Sequence, residues 1–436
     1  MKNYILLLFT LILSTAFTTS CSKDKDENSP EPSFINGKNF LYAGIPDKYN
    51  TGCDEQTSFY KLENDGLANQ VFIKLRRDDN NKLTEYIITS YSDNLDNLPN
   101  ETTIENYDFS DANMTIISPD RYSSNKKIIF KNCKFKAFGN RKPYDDNKVS
   151  VYFENCTFNG GVNEVNISLN RCKIGGFIGD AMNPLKNFEC KNSYICDLLP
   201  SANVSGTHID GFQIYGREGI KGGNIKFDNV RFEIPSIHYD GYSDCVNACV
   251  MFQLEFGDVD NCTFQNLICN GGGKWFPIYL SRGKPADKHS QKNLVLKNVK
   301  VSDNFGTIFY SGSYDENAIV TNVEHFSQLY ISSVIIDNEN KTHIICTNDT
   351  HLDKTLIIKT DDDEYSFEIP HCPSNWALNG EIDGKVNPNE SLSDIKGKKY
   401  TKYRFSDMPF DIDCVIDKPC SSIICYDGGD EILNLK

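Results

Sequence analysis

One short phrase recurs along the chain: an apolar residue, a short polar link, Asn, then Cys or Val, a polar residue and another apolar one. It reads Asn132-Cys133-Lys134-Phe135, Asn155-Cys156-Thr157-Phe158, Arg171-Cys172-Lys173-Ile174 with Asn170 before it, Asn229-Val230-Arg231-Phe232, Asn261-Cys262-Thr263-Phe264 and Asn298-Val299-Lys300-Val301. Repeats of this length signal stacked architectures, and the flanking residues alternate with a strand period of two. The phrase therefore predicts an all-β solenoid of parallel strands in which each unit buries its inner face on the next. Asn tolerates left-handed backbone angles better than other residues with a Cβ, so it suits the sharp corner between two strands. The spacing is uneven. Asn229 to Asn261 is 32 residues, Asn261 to Asn298 is 37, and Asn155 to Asn170 is 15, too short for a full unit.

Stacked corners place amide over amide. That pattern resembles the asparagine ladder of right-handed parallel β-helices, the fold of the pectate-lyase-like superfamily. The resemblance covers about residues 107–340 and implies the fold far more than a chemistry, since one fold hosts many functions.

The chain ends divide from this body. Lys2 followed by the apolar run Tyr4 to Leu13 reads as a secretion signal over residues 1–21, too short to span a bilayer. It closes on Thr-Thr-Ser20-Cys21, which resembles a lipobox and implies a lipid on Cys21; an ordinary signal with an incidental Cys is the alternative. Residues 22–33 are charged and read as a disordered tether. An acidic run after a lipidated Cys resembles the export signal of lipoproteins displayed outside some Gram-negative cells, implying an outer-membrane lipoprotein exposed at the cell surface. Residues 34–106, with alternating runs at Val71–Leu75 and Glu85–Thr89, read as an N-terminal cap. Residues 341–436 read as a C-terminal β-rich cap or small domain. The net charge of −15 comes without any basic run and argues against nucleic acid as a partner.

Of the 16 cysteines, Cys133, Cys156 and Cys262 occupy a slot that Val230 and Val299 fill elsewhere, so they read as small buried hydrophobes. Cys245 with Cys249, and Cys414 with Cys420, are candidate loop disulfides.

Chemistry concentrates in Thr207-His208-Ile209-Asp210-Gly211-Phe212-Gln213-Ile214-Tyr215-Gly216. Period two points Phe212 and Ile214 inward and Gln213 and Tyr215 outward, with His208 and Asp210 at the strand entry. The His-x-Asp-Gly-x-Gln phrase resembles one in several β-helix proteins of the superfamily, carbohydrate enzymes among them. Phe252-Gln253-Leu254 echoes it, and the outward stripe is expected to run Gln213, Gln253, Tyr279 and Phe309. Aromatic rings beside amides suit sugars, which stack and hydrogen-bond; an amide ladder satisfying its own strands is the bland reading. A second phrase, His238-Tyr239-Asp240-Gly241, is expected to bring Asp240 toward Asp210 as a carboxylate pair for glycosidic chemistry. Such a pair can instead hold Ca2+, or both Asp-Gly pairs can be turn formers. His208 is a candidate base, and Arg217 and Arg282 are candidate cations for a uronate. The chain lacks the Trp-x-Asp-His and Arg-x-Pro-x-x-Arg phrases of pectate lyases. The expectation is a lyase or hydrolase acting on a glycan, an acidic one in the first instance, with His208, Asp210 and Asp240 catalytic and Gln213, Tyr215, Arg217, Gln253, Tyr279 and Arg282 binding. The competing classes are a non-catalytic glycan-binding or adhesion lipoprotein and a purely structural solenoid.

Overall fold

The computed structural model describes residues 33–35, 38–68, 71–89, 99–117, 125–140, 148–199, 209–234, 246–271, 277–281, 289–301, 308–311, 318–350, 352–370 and 411–436. Among them every regular element is a β-strand. Parallel pairing runs from Leu83–Thr89, which lies beside Asn113–Ile117, to Ile319–His325, which lies beside Gln291–Val301. The stack thus begins inside the segment read as a cap. The strands Gly66–Ala68 and Val71–Arg77 close that end by antiparallel pairing onto Leu83–Thr89.

The long strands bend at left-handed residues, in two columns rather than one. Asn106, Asn132, Asn155, Arg171, Asn192, Asn229, Asn266, Asn298 and Asn322 share one column, with φ between +49° and +63°. Asn166, Asn187, Asn224, Asn261 and Asn293 share the other, with φ between +51° and +56°. Register assigns each: Asp228 pairs with Gln265 and Ile225 with Cys262, so Asn229 stacks under Asn266 and Asn224 under Asn261. Asn229 and Asn261, expected on one ladder, belong to different corners. The step between neighbouring rungs is 37 residues from Asn192 to Asn229 and from Asn224 to Asn261. Asn170 is not a corner either; Arg171 takes the left-handed angle, and the Asn170 amide joins the ladder from one position earlier, accepting from Asn192 Nδ2 at 2.9 Å.

Inside, identical slots stack. Cys133, Cys156, Cys172, Ser193, Val230, Leu267, Val299 and Val323 follow the first column in register. Cys262 sits in the other slot, between Ile225 and Leu294. The thiols of Cys133, Cys156 and Cys172 donate to the carbonyls two residues back, at 3.2, 3.4 and 3.5 Å. Burial pushes the Cys156 thiol well above its ordinary range. Phenylalanines stack likewise: Phe130 on Phe153 with centroids 5.3 Å apart, and Phe135 on Phe158 at 5.0 Å. Each fully buried ring contributes about 1.5–3 kcal/mol. Cys414 and Cys420 are separate buried thiols, not the expected disulfide. Both belong to one apolar cluster, where the Cys420 thiol points to the Lys418 carbonyl at 3.8 Å. Cys245, the proposed partner of Cys249, lies outside the described residues.

At the far end two antiparallel sheets share a core. One joins Ser33–Ile35, Lys38–Ala43, Tyr330–Ile336, Thr342–Thr347 and Asp411–Ile416; the other joins Glu364–Ile369, Lys354–Thr360, Ile423–Asp427 and Asp430–Leu435. A buried ionic joint fastens this end to the parallel stack. Arg231, 0% exposed, bonds Asp411 at 2.9 Å and meets Glu233 at 3.2 Å. Its guanidinium lies over the Tyr194 and Tyr330 rings. Tyr330 donates to Asp349, which also accepts from Asn270. Residues 44–60 then run back along the first corner column as a strap. Asn229 Nδ2 donates to Gly44 O at 2.9 Å, Gly52 N to Arg171 O at 2.9 Å, Asp54 N to Asn132 Oδ1 at 2.8 Å, and Tyr60 N to Asn106 O at 2.8 Å.

Candidate functional site

A second parallel sheet carries the sequence phrase: Ile209–Ile214, Val246–Gln253, Ile278–Ser281 and Ile308–Ser311. Phe212 and Ile214 are buried as the alternation requires, and the Phe212 ring meets Phe227 edge-on at 4.9 Å. Gln213 is on the opposite side yet only 3% exposed, because neighbouring polar groups cover it. Register places Gln213 beside Met251, Tyr279 and Phe309. Gln253 is instead in line with Ser281 and Ser311. The expected single stripe is therefore two columns, and the Phe-Gln echo is displaced by two residues.

Asp210 does not face outward at the strand entry; it is 0% exposed. Asp210 lies two residues before the inward Phe212 and so shares its parity; the register shift just before it, between Ile209 and Asp210, leaves the extra residue, Asn247, on the partner strand. The shift fastens Asp210 to an earlier turn. Asp210 N donates to Asp180 Oδ1 at 2.9 Å, and Ala181 N donates to Asp210 O at 3.0 Å. Gly211 is needed for close packing rather than for a turn: a Cβ there would come within 2.5 Å of Phe232 and 2.6 Å of Ile234.

From Asp180 a polar chain crosses the face. Asn183 Nδ2 donates to Asp180 Oδ2 at 3.3 Å and to Gln213 Oε1 at 3.2 Å, and Gln213 Nε2 donates to the Tyr215 hydroxyl at 2.6 Å. Asn163 Oδ1 accepts from Asn183 N at 3.0 Å. Because the hydroxyl accepts from Gln213, its own proton is left to donate elsewhere. Burial first, then the charges of Asp210, Asp180 and Glu255, push the Tyr215 phenol up to about 12. It is a neutral donor across the physiological range. Gln253 donates to Glu255, and Phe256, exposed, stands edge-on to the Tyr215 ring at 6.1 Å. Tyr279 is half-buried in the middle of the sheet. Arg217 is engaged by Glu164 at 3.3 Å and Lys221 by Asp260 at 2.8 Å.

The structure thus brings Asp210, Gln213, Tyr215, Gln253 and Tyr279 onto one sheet region and holds Arg217 at its margin against Glu164. His208, Asp240, Arg282 and Cys21 lie outside the described residues. Among the described residues no three His, Cys, Asp or Glu side chains are grouped to hold a metal ion. Asp180 and Asn183 were not singled out by sequence. The signal was the separation: both lie 30 residues before their partners Asp210 and Gln213. No family model, curated protein or solved structure matches this chain.

Proposed function

We propose that the chain is a right-handed parallel β-helix of the pectate-lyase-like kind and a polysaccharide-active enzyme working on the face around Asp180, Gln213, Tyr215 and Tyr279. The parallel register over successive tiers supports the helix, and parallel crossovers are right-handed in nearly all proteins. The observation that carries the activity is the chain Asp180–Asn183–Gln213–Tyr215, which fixes a neutral phenol donor beside three carboxylates. Oriented amides and rings hold sugar hydroxyls and faces. Asp180, half-buried and oriented by Asn183 and the Asp210 N–H, is the carboxylate for acid–base work.

This geometry favours hydrolysis over elimination. A lyase needs a free cation to neutralise a uronate, and Arg217 and Lys221 at this face are held by carboxylates. The preference for an acidic glycan then depends on Arg282 or on Ca2+. Asp210, being enclosed, acts by positioning the Asp180 turn and by its charge on Tyr215 rather than by touching a polymer. That enclosure also favours the second reading, a glycan-binding lipoprotein without turnover. The anchor is a lipid on Cys21, placing the protein at the outer membrane and, by the acidic tether, at the cell surface; palmitate labelling that persists in Cys21→Ala contradicts it.

A polysaccharide panel, assayed in parallel for reducing ends and for unsaturated ends by ultraviolet absorbance, separates the readings. Reducing ends alone are expected. Unsaturated ends make it a lyase, and binding without either product makes it a binder.

A further inference from the structure

We propose that the first corner ladder continues past the strap as a docking groove for an extended polypeptide segment of a partner protein. The strap itself shows how this ladder is covered. Asn132 Nδ2 donates once down the ladder, to Asn106 Oδ1 at 2.7 Å, and once into the strap, to Thr57 Oγ1 at 3.0 Å. Asn229 does the same, donating to Asn192 Oδ1 at 3.0 Å and to the Gly44 carbonyl at 2.9 Å. Both amides are half-buried.

At Gly44 the chain leaves the ladder for the antiparallel sheet, where Gly44 N donates to Ser332 O. The ladder goes on. Asn266, Asn298 and Asn322 keep the left-handed angle and donate down the column to Asp228, Asn266 and Asn298 at 2.8, 3.1 and 3.0 Å. Among the described residues each makes only that one amide donation, and all three are exposed. The second N–H, which the strap takes up elsewhere, is unspent here.

These amides floor a groove of about 340 Å³ that starts at Ile45, the strap residue next to Gly44. Leu267 and Ile268 give it an apolar end, and Lys300 and Glu324 a charged side. The groove is thus continuous with an interface the chain already makes with its own backbone. Its chemistry selects the occupant. The Asn266 and Asn298 oxygens already accept from the next rung, so along these two rungs the floor presents donors, and the acceptors, Asn322 Oδ1 and the Glu324 carboxylate, stand at its far end. Backbone carbonyls answer donors alone, whereas sugar hydroxyls seek both donors and acceptors. From Asn229 to Asn322 is three strand spacings, about 14 Å, the length of roughly four extended residues. The segment is expected to set one apolar side chain against Ile45 and Ile268 and run its carbonyls over Asn266, Asn298 and Asn322. This inference stands apart from the glycan reading, because it uses a different sheet face.

The test uses the full chain and a displayed library of random twelve-residue peptides. Enriched peptides are synthesised and titrated against the wild type, Asn322→Gly, Asn298→Gly and Gln213→Ala. Glycine keeps the left-handed corner, and Asn322 is the last rung, so its loss leaves the rest of the ladder intact. The expected result is a loss of affinity of about threefold to tenfold for each ladder amide removed, the size of one hydrogen bond, with Gln213→Ala unchanged. Three results overturn it: no enrichment, peptides that bind Asn322→Gly and Asn298→Gly as tightly as wild type, or displacement of the peptides by an oligosaccharide.

Discussion

A corner asparagine acts twice, once through its backbone and once through its amide, and substitutions can separate the two. At Asn266, φ is +54° and the amide bridges Asp228 and Asn298. Asn266→Gly keeps the corner and removes the two hydrogen bonds of the bridge, at about 1–3 kcal/mol together. Asn266→Ala loses the bridge and keeps a Cβ at the left-handed angle without the polar side chain by which Asn tolerates it, which sets it roughly 1–2 kcal/mol below the glycine variant. Chemical denaturation of the two variants is expected to rank Gly above Ala in midpoint. His343 supplies a residue-scale pH dependence. Its ring is held between Asp413 at 3.0 Å and Asp337 at 3.1 Å. Burial alone would lower its pKa, but the two carboxylates outweigh that and raise it above the ordinary 6.5. A folded pKa above the unfolded one stabilises fully below about pH 6.5 and is lost as pH rises through the folded value. The melting temperature of His343→Gln is therefore expected to fall below wild type at pH 6 and to approach it as the pH rises through the raised folded value. A gap that stays constant with pH contradicts the paired imidazolium.

At the scale of elements, the joint between the parallel stack and the antiparallel sheets hangs on one buried cation. Arg231→Met leaves Glu233 and Asp411 enclosed without their partner, and removing one member of such a pair costs about 3–5 kcal/mol. Arg231→Met combined with Glu233→Leu is expected to cost less than the sum of the single changes, which a double-mutant cycle measures. How far the elements were legible follows from the same physics. The Asn-Cys/Val-x-Phe phrase marked strands and a corner column correctly because left-handed angles and a small inner slot leave a compositional trace. It could not distinguish two corners, since Asn261-Cys262 satisfies both requirements while belonging to the other column. In the site, Phe212, Gln213 and Ile214 were readable from alternation. Asp210 shares the parity of Phe212, and its burial went unread because it was taken as part of a loop at the strand entry rather than as part of the strand. Asp180 and Asn183 were hidden because they reach their partners across a tier, through a turn whose sequence mark is Gly179 at φ +132°.

For the whole molecule, the strap links the two ends by lying on the ladder between them. Gly52, at φ +80°, lets it pass close to Thr157, where a Cβ would come within 2.7 Å of Oγ1. Gly52→Ala is expected to cost about 1–2 kcal/mol from the backbone angle, and to raise protease cleavage within residues 44–60 before the parallel stack itself is cut. The face that faces the glycan in the proposed function is built from three tiers at once, so its activity depends on the stack as a whole. The most direct measurement is product release from the polysaccharide that the panel identifies, by wild type, Asp180→Asn and Tyr215→Phe, with the melting temperature of each recorded beside it. The prediction is new reducing ends from wild type and a fall of at least about a hundredfold in both variants, the lower end of what a positioned acid–base group contributes, with little change in melting temperature for Tyr215→Phe. Unchanged turnover in both variants, or binding of every glycan tested with no new ends, would contradict it.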